Sequence, residues 1–546
     1  MPRMEHTMQE VPLTVDLLFR RAHRPFGQKR IYSSGPKGLT VTTYAEWAAR
    51  TRRLVGALDG MQLQPGARVA TFACNSTSHL EISFAVPGSG RVFHPLNVRL
   101  PADQLSYIVN DAEDDVIFVD RSLLSRLAPQ LGSFKTVRRL VVIDDGTDRV
   151  SPDVEIPNHI LVSDYDDLLS AAAESELHVE DETLAASVCY TSGTTGNPKG
   201  VVYSHRSQWL HAMALLQADT TAIGEGDTVL PLVPFFHANA WDLGYAAVAA
   251  GADIVLSGPD NSGPAVADLV ERCGVTVSAA VPAVWSRVLP ELRGRDTSHL
   301  RMLCSGGSAV PARLTDLCRE LTGEPIMQVW GMTETGAFAS MARTRPHVDH
   351  HDEHAQSLVT SSQGVPIPGI EFRIVEEDTV EELPWDGVAI GELQCRGPWV
   401  TARYRGDNGR SGSTTSDQWF RTGDAASIDP NGYVRLRDRL KDLIKSGGEW
   451  IPTIELETAL QTHPGVELVA VIGVPSERWD ERPIAIVTST EGGLVQPDEL
   501  LDWLRPRVLK FWLPDEIHVV PALPVTPVGK IDKKALRLRF ADQVRP

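Results

Sequence analysis

The chain is poor in cysteine: its 546 residues include six, Cys74, Cys189, Cys273, Cys304, Cys318 and Cys395. They form no CxxC pair and no dense cluster, and most lie in apolar runs. This excludes a disulfide-stapled scaffold and predicts reduced core thiols in a cytoplasmic protein. Long apolar runs are missing as well. The best candidate window, Ala238 to Leu256, is broken by Asp242 and Asp253, so no transmembrane helix is expected. The opening MPRMEHTMQE lacks the apolar stretch of a signal peptide, and the final QVRP is no sorting address. Positive charge is in deficit, 52 Lys and Arg against 71 Asp and Glu, a formal net charge of −19. That balance argues against a general nucleic-acid or anionic-membrane surface, while leaving room for local basic pockets. The sequence contains no internal repeat and no low-complexity tract.

What is present is a globular composition, 42% hydrophobic and 23% charged, in a chain too long for one core. Short apolar runs, RVATFAC, DDVIFVD, RLVVID, GADIVL and VTVSAAVP, alternate with longer amphipathic segments. This is the pattern of an α/β fold, helices layered on mostly parallel sheets. Thr43 stands three residues before Glu46, a capping box, ahead of Trp47, Leu54 and Leu58 at roughly helical spacing. From about residue 360 to 435 the runs shorten and are divided by Pro and Gly, which predicts a small β subdomain. Beyond RDRLKDLIKSGGEWI comes a helix capped by Thr453 with Glu455 and Glu457 in its first turn, then the strands VELVAVIGV and PIAIVTST and the helix PDELLDWLRPRVL. Two domains are expected, 1–438 and a smaller α+β unit at 439–546. HVDHHDEHAQ, from His347, is rich in histidine, but its spacing fits no specific metal site and reads as a solvated loop.

The densest cluster of chemically suggestive residues is YTSGTTGNPKG, Tyr190 to Gly200. Gly193, Gly196 and Gly200 let backbone N–H groups approach an anion closely. Thr191, Ser192, Thr194 and Thr195 add hydroxyl donors, and Lys199 adds a mobile positive charge. An apolar run precedes the loop and VVYSHRSQWLHAMALL follows, so the loop is expected at a strand-to-helix junction. It is not a Walker A loop, because Gly200 follows Lys199 where Ser or Thr is required.

The full string resembles the signature loop of the adenylate-forming superfamily, which includes acyl-CoA synthetases, firefly luciferase and the adenylation domains of peptide synthetases. Four further motifs stand in that family's order, and the resemblance runs from PLTVDLLFRRA to GKIDKKALR. In GMTETG it implies that Glu334 coordinates Mg²⁺ and Thr333 contacts the α-phosphate of ATP, with Gly331 and Met332 alongside. In WFRTGDAA it makes Asp424 the acceptor for the ribose hydroxyls. SGGSAVP, with Gly306, Gly307 and Ser308, resembles the adenine-lining segment, and Trp330 stands where an aromatic often packs on the base. In RDRLKDLIKSGGEWI, Arg439 would contact ribose or phosphate, Lys441 would be the hinge of a mobile C-terminal domain, and Gly447, Gly448 and Glu449 would lie beside the pantetheine tunnel. In PVTPVGKIDKKAL, Lys530 matches the family's catalytic lysine. The implied reaction has two steps: a carboxylate attacks the α-phosphate of ATP and pyrophosphate leaves, then coenzyme A displaces AMP. Lys530, Lys199, Thr333 and Mg²⁺ on Glu334 would neutralise developing charge. Related fatty-acyl synthetases are often homodimers.

PFFHANAWDLGYAAVAAGADIVL resembles the HxNAW segment of medium- and long-chain fatty-acyl-CoA synthetases, which implies that His237 flanks the acyl site, beside Asn239, and that Trp241 gates a tunnel. Trp241 also reads as an ordinary core residue. Asp242 and Arg91 depart from the resemblance by putting charge where relatives tend to be neutral or apolar. Asp242 therefore either lines a pocket for a polar or aromatic acid or points to solvent or a structural partner. Other activities on the same scaffold are adenylation of another oxyacid, such as nitrite for diazotising an aryl amine without coenzyme A, and a luciferase-like oxygenation.

Overall fold

The protein is described here by a computed structural model covering residues 6–147, 155–191, 197–346, 348, 352–376, 379, 381–407, 412–447, 449–476, 478–490, 495–525 and 531–540. Two large sheets carry most of the chain. The first has seven strands in the order Leu161–Asp164, Arg139–Ile143, Asp114–Asp120, Arg68–Phe72, Val92–Pro95, Ala185–Tyr190 and Gly200–Ser204. Its neighbours are parallel up to the last pair, which is antiparallel with Tyr190 opposite Gly200. The second has nine, ordered Val365–Pro366, Ser340–Met341, Met327–Trp330, Met302–Ser305, Val277–Ala280, Thr228–Pro231, Asp253–Leu256, Arg30–Gly35 and Gly38–Thr43, with a parallel centre and antiparallel ends. Helices cover both faces, so strands such as Val277–Ala280 are buried throughout and read as short continuous apolar runs.

Asn75 ties the two sheets together. Its side-chain amide donates to the carbonyls of Pro231 and Val233 at 3.1 and 2.9 Å and accepts the Phe235 N–H at 3.1 Å. A buried amide with three partners has most of its hydrogen-bonding capacity used, which fixes the approach of the sheets as apolar contact alone would not.

The expected β subdomain is a four-stranded antiparallel sheet, Glu371–Val375, Gly391–Arg396, Phe420–Ile428 and Val434–Arg439. After it a five-stranded sheet is built on the long pair Val466–Ser476 and Asp480–Ser489, with Ile444–Ser446, Glu449–Ile451 and Glu516–Val519, packed by the helices Thr453–Gln461, Pro497–Leu504 and Lys533–Phe540. The capping box at Thr43 and Glu46 is present, with the Thr43 N–H donating to the carboxylate at 2.8 Å. The expected Thr453 cap is not. Pro452 takes the cap position and Thr453 is the first helical residue, its hydroxyl accepting from Lys533 Nζ at 2.6 Å. Arg91 has structural partners: it is buried after the helix Thr77–Gly88 and pairs with Asp59 at 3.0 Å and the Leu58 carbonyl at 3.3 Å.

Two local features bear on stability. Asp120 ends its strand almost wholly buried, accepting the Cys74 N–H at 2.7 Å through Oδ2 and leaving Oδ1 without a partner among the described residues. Burial, partly offset by that N–H and reinforced by Asp145, pushes its pKa up to about 7. The folded chain thus keeps a proton that the unfolded chain releases near pH 3.8. The group's contribution is fully favourable below that value and is lost as pH rises through about 7. Asp120→Asn should flatten the decline and make the chain more stable than the parent at pH 8 by roughly 1–3 kcal/mol, checked by urea titrations at pH 5 and pH 8. Gly331 allows a close backbone approach: a Cβ there would meet the Ala337 carbonyl oxygen at 1.7 Å. Gly331→Ala must displace the turn that follows, and it should cost at least tenfold in turnover with a lowered melting temperature, read by activity assay and thermal scan.

Candidate active site

The loop Tyr190 to Gly200 connects two antiparallel strands, not a strand and a helix; the helix His205–Leu215 begins only after the second strand. The apolar run VVYS pairs as a strand edge before the Ser204 hydroxyl caps the helix by accepting the Ser207 N–H at 3.1 Å. The base of the loop is pinned. The Thr191 N–H donates to the Lys199 carbonyl at 2.9 Å, and the Lys199 N–H donates back to the Thr191 hydroxyl at 3.4 Å. Ser192, Gly193, Thr194, Thr195 and Gly196 lie outside the described residues, as do Gly448 and Lys530.

Lys199 leaves the loop base over the Tyr404 ring, with Nζ 4.7 Å from its centroid. The Tyr404 hydroxyl donates to Glu334 Oε1 at 2.6 Å. One tyrosine therefore separates a cation from a carboxylate. Burial raises the pKa of Glu334, while the Tyr404 hydroxyl and the charges of Arg439 and Lys199 act to lower it. Glu334 sits in a one-turn 3-10 helix, Thr333–Thr335, held from outside by two bonds: Tyr203 donates to the Thr333 carbonyl at 2.6 Å, and the Thr401 N–H to the Glu334 carbonyl at 2.8 Å. Between these supports lies a groove of about 550 Å³ lined by Tyr203, Ser204, Trp399, Thr401 and Tyr404, among others. Among the described residues no three His, Cys, Asp or Glu side chains converge on a metal-sized site. A lone buried carboxylate suits a hard cation that takes its remaining oxygens from phosphates and water.

Asp424 is the second centre. It is opposite Arg439 in the antiparallel register, and Arg439 Nε reaches its Oδ1 at 2.8 Å. Trp330, at the end of its own strand in the nine-stranded sheet, donates Nε1–H to Oδ2 at 3.1 Å. Each carboxylate oxygen has more than one lone pair, so these partners leave acceptor capacity on an ionised, almost fully buried group. The Trp330 face is set by an edge contact to Phe372 at 5.5 Å. Gly306 is buried against Val329 and the tip of the Trp241 ring, while Gly307 and Ser308 are exposed.

His237 opens the least expected local structure. Ala238, Asn239, Ala240, Trp241 and Asp242 all have φ between +43° and +58°, a single turn of left-handed helix with no glycine. Each such residue costs roughly 1–2 kcal/mol, so the turn survives only because its surroundings hold it. Asn239 donates to the Ser187 hydroxyl at 2.9 Å, and Asp242 is paired to His211 Nδ1 at 2.8 Å, both couples buried. Trp241 packs edge-on to Phe338 at 5.5 Å. Of the readings left open for Asp242, solvent exposure is excluded and a buried partner is found.

The strand Val434–Arg439 leads into the C-terminal part. Asp438 accepts the Thr453 N–H at 2.7 Å, and Arg437 pairs with Glu455 and Asp442 with Arg537. Lys441 sits between, in a turn closed by the Asp442 N–H on the Arg439 carbonyl at 2.8 Å. Gly447 (φ +59°) forms the corner between the paired strands Ile444–Ser446 and Glu449–Ile451. Tyr404, Tyr203, Phe338 and His211 have no place among the sequence motifs. Tyr404 follows RGPWV in a stretch without periodicity, and His211 looks like any residue of an amphipathic helix.

Comparison with known proteins agrees with this geometry. The chain matches the AMP-binding enzyme family over residues 19–405 and the C-terminal domain of AMP-binding enzymes over residues 455–530. It is 39% identical over 545 residues to the 3-methylmercaptopropionyl-CoA ligase of Ruegeria lacuscaerulensis, covering 98% of each chain. To the long-chain-fatty-acid–CoA ligase of Thermus thermophilus it is 40% identical over 540 residues, covering 98% of this chain and 97% of that one. Among solved structures, ATP-bound MatB from Rhodopseudomonas palustris superposes with a TM-score of 0.82 at 27% identity, covering 97% of this chain and all of the other. No helix among the described residues is long and apolar enough to cross a membrane. With residues 19–405 and 455–530 both matched, the chain belongs to the AMP-binding enzymes.

Proposed function

We propose the following division of labour in an AMP-forming acid–thiol ligase, which activates a carboxylic acid with ATP to an acyl-adenylate, releases pyrophosphate and passes the acyl group to coenzyme A. The observation that carries it is the pairing of two buried carboxylates with distinct environments: Asp424 held by Trp330 and Arg439, and Glu334 held by Tyr404. Asp424 keeps ionised acceptor capacity for the ribose hydroxyls, with Trp330 beside the base and Gly306, Gly307 and Ser308 along it. Lys199 and the loop Thr191 to Gly196 take the β- and γ-phosphates through N–H, hydroxyl and ammonium donors. Thr333 and Met332, after Gly331, border the α-phosphate.

Glu334 would hold Mg²⁺, which when bound neutralises phosphate charge. Its carboxyl, raised by burial, ionises more readily as Lys199 and Arg439 approach. His237, Asn239 and Trp241 border the acid, orienting its carboxylate toward the α-phosphate so that attack is in line. Lys530 supplies the positive charge for that step. A swing about Lys441 then withdraws Lys530 and brings Gly447, Gly448 and Glu449 to the thiol channel.

Three measurements bear on this. AMP and a thioester should form together from ATP, coenzyme A and an apolar acid, and product without coenzyme A would point to another acceptor. Glu334→Gln should lower kcat/KM for pyrophosphate release by about 10²–10³-fold and flatten its dependence on magnesium; chelating magnesium should stop the first half-reaction and spare transfer from supplied acyl-adenylate. Lys530→Ala should suppress adenylation while leaving thioester formation from supplied acyl-adenylate largely intact, whereas equal loss of both half-reactions contradicts its role.

A further inference from the structure

Behind Phe338 the interior is polar where an apolar acyl site would be apolar. His211, on the helix His205–Leu215, and Asp242, at the end of the left-handed turn, form a buried pair at 2.8 Å. Among the described residues, His211 Nε2 and Asp242 Oδ1 have no hydrogen-bond partner. Trp399 is the next ring, with its centroid 5.6 Å from that of His211, and its Nε1 likewise lacks a partner among the described residues. The residue between them is Gly336: a Cβ there would stand 3.5 Å from the His211 ring and 3.4 Å from that of Trp399. Phe338 bridges the group to the substrate side, 6.4 Å from His211 and edge-on to Trp241 at 5.5 Å. Trp399 also lines the groove beside Glu334.

Three such polar atoms on separate elements are expensive if nothing meets them. Burial raises the pKa of Asp242, while His211 and the Asn239 side chain act to lower it. In the tautomer that carries its proton on Nδ1 and donates it to Asp242 Oδ2, His211 presents Nε2 as an acceptor. The cluster then offers two acceptors, Nε2 and Oδ1, and one donor, the Trp399 indole N–H. An alkyl chain matches none of these. A hydroxyl or a neutral primary amino group matches them, donating to the His211–Asp242 pair and accepting from Trp399.

We propose that the acyl site ends at this cluster and selects an acid that carries a hydroxyl or primary amino group away from its carboxylate. The proposal rests on the ligase reading above. His211 and Asp242 are specificity residues in this scheme, and their unpartnered atoms are satisfied by the substrate. A site built to hydrogen-bond such a group rejects the analogue that lacks it far more strongly than an apolar pocket rejects an extra methylene.

The test compares matched acids by kcat/KM for AMP formation with ATP and coenzyme A: benzoate against its meta and para amino and hydroxy derivatives, and hexanoate and octanoate against their terminal hydroxy and amino forms. At least one substituted acid should exceed its parent tenfold or more. Asp242→Asn, which keeps size and tolerates the left-handed backbone, and His211→Phe should each cut that ratio at least tenfold, with thermal scans reporting folding. If His211→Phe does not fold, Asp242→Asn decides. Parent acids preferred in every pair, or a ratio unchanged in the folded variants because both members of the pair fall together, as a purely structural pair requires, overturns the proposal. Pyrophosphate release with no acid at all would instead overturn the ligase reading beneath it.

Discussion

The Asp424 carboxylate is the interaction on which the junction of the molecule depends. Its two oxygens take Trp330 from the nine-stranded sheet and Arg439 from the last strand of the four-stranded sheet. An ionised group at 2% exposure is tolerable only with charge-assisted partners such as the guanidinium, and removing one partner leaves the other charge stranded. The same two bonds orient the tryptophan face and the strand that leads out of the large domain. Position and chemistry are therefore not separable here: the group that would bind the nucleotide sugar also sets the angle of two sheets.

The left-handed turn at Ala238–Asp242 shows the opposite economy. Its backbone is unfavourable residue by residue, and it is held by buried side chains reaching in from the strand Ala185–Tyr190 and the helix His205–Leu215. Strain of this kind is kept where geometry matters more than local comfort. It sets the tip of the Trp241 indole against Gly306, 3.3 Å from where a Cβ would stand, and so joins the turn to the end of the strand Met302–Ser305.

Much of this was legible in the sequence, for identifiable reasons. Strands buried on both faces appear as short apolar runs, so RVATFAC, DDVIFVD, RLVVID, GADIVL and VTVSAAVP all became sheet strands. Glu334, Asp424 and Arg439 were singled out by resemblance to a family's motifs, and the fold sets Asp424 against Arg439 and Glu334 under Tyr404. What escaped was set by long-range partners. HANAWD carries no glycine, and Asn239 and Asp242, which enter the left-handed region readily, do not account for positive φ at Ala238, Ala240 and Trp241; Ser187 and His211 hold the turn from about 30 to 50 residues away. Tyr404 and His211 escaped for the same reason, since a phenol and an imidazole acquire a role only when a distant carboxylate arrives. The Thr453 cap failed because Pro452 already had the extended backbone that a cap needs, and the Thr453 hydroxyl was taken by Lys533.

The joint after Arg439 has a mechanical consequence. The bonds across it, Thr453 N–H to Asp438, Arg437 to Glu455 and Asp442 to Arg537, are polar, and the apolar clusters on its two sides share no residue. Exchanging partly exposed ion pairs for water or for new partners costs about 0–1 kcal/mol each, whereas parting an interdigitated apolar seam costs in proportion to its area. The two sides are therefore joined at this seam by charge and hydrogen bonding, so that raised salt would loosen the joint before it reached either core.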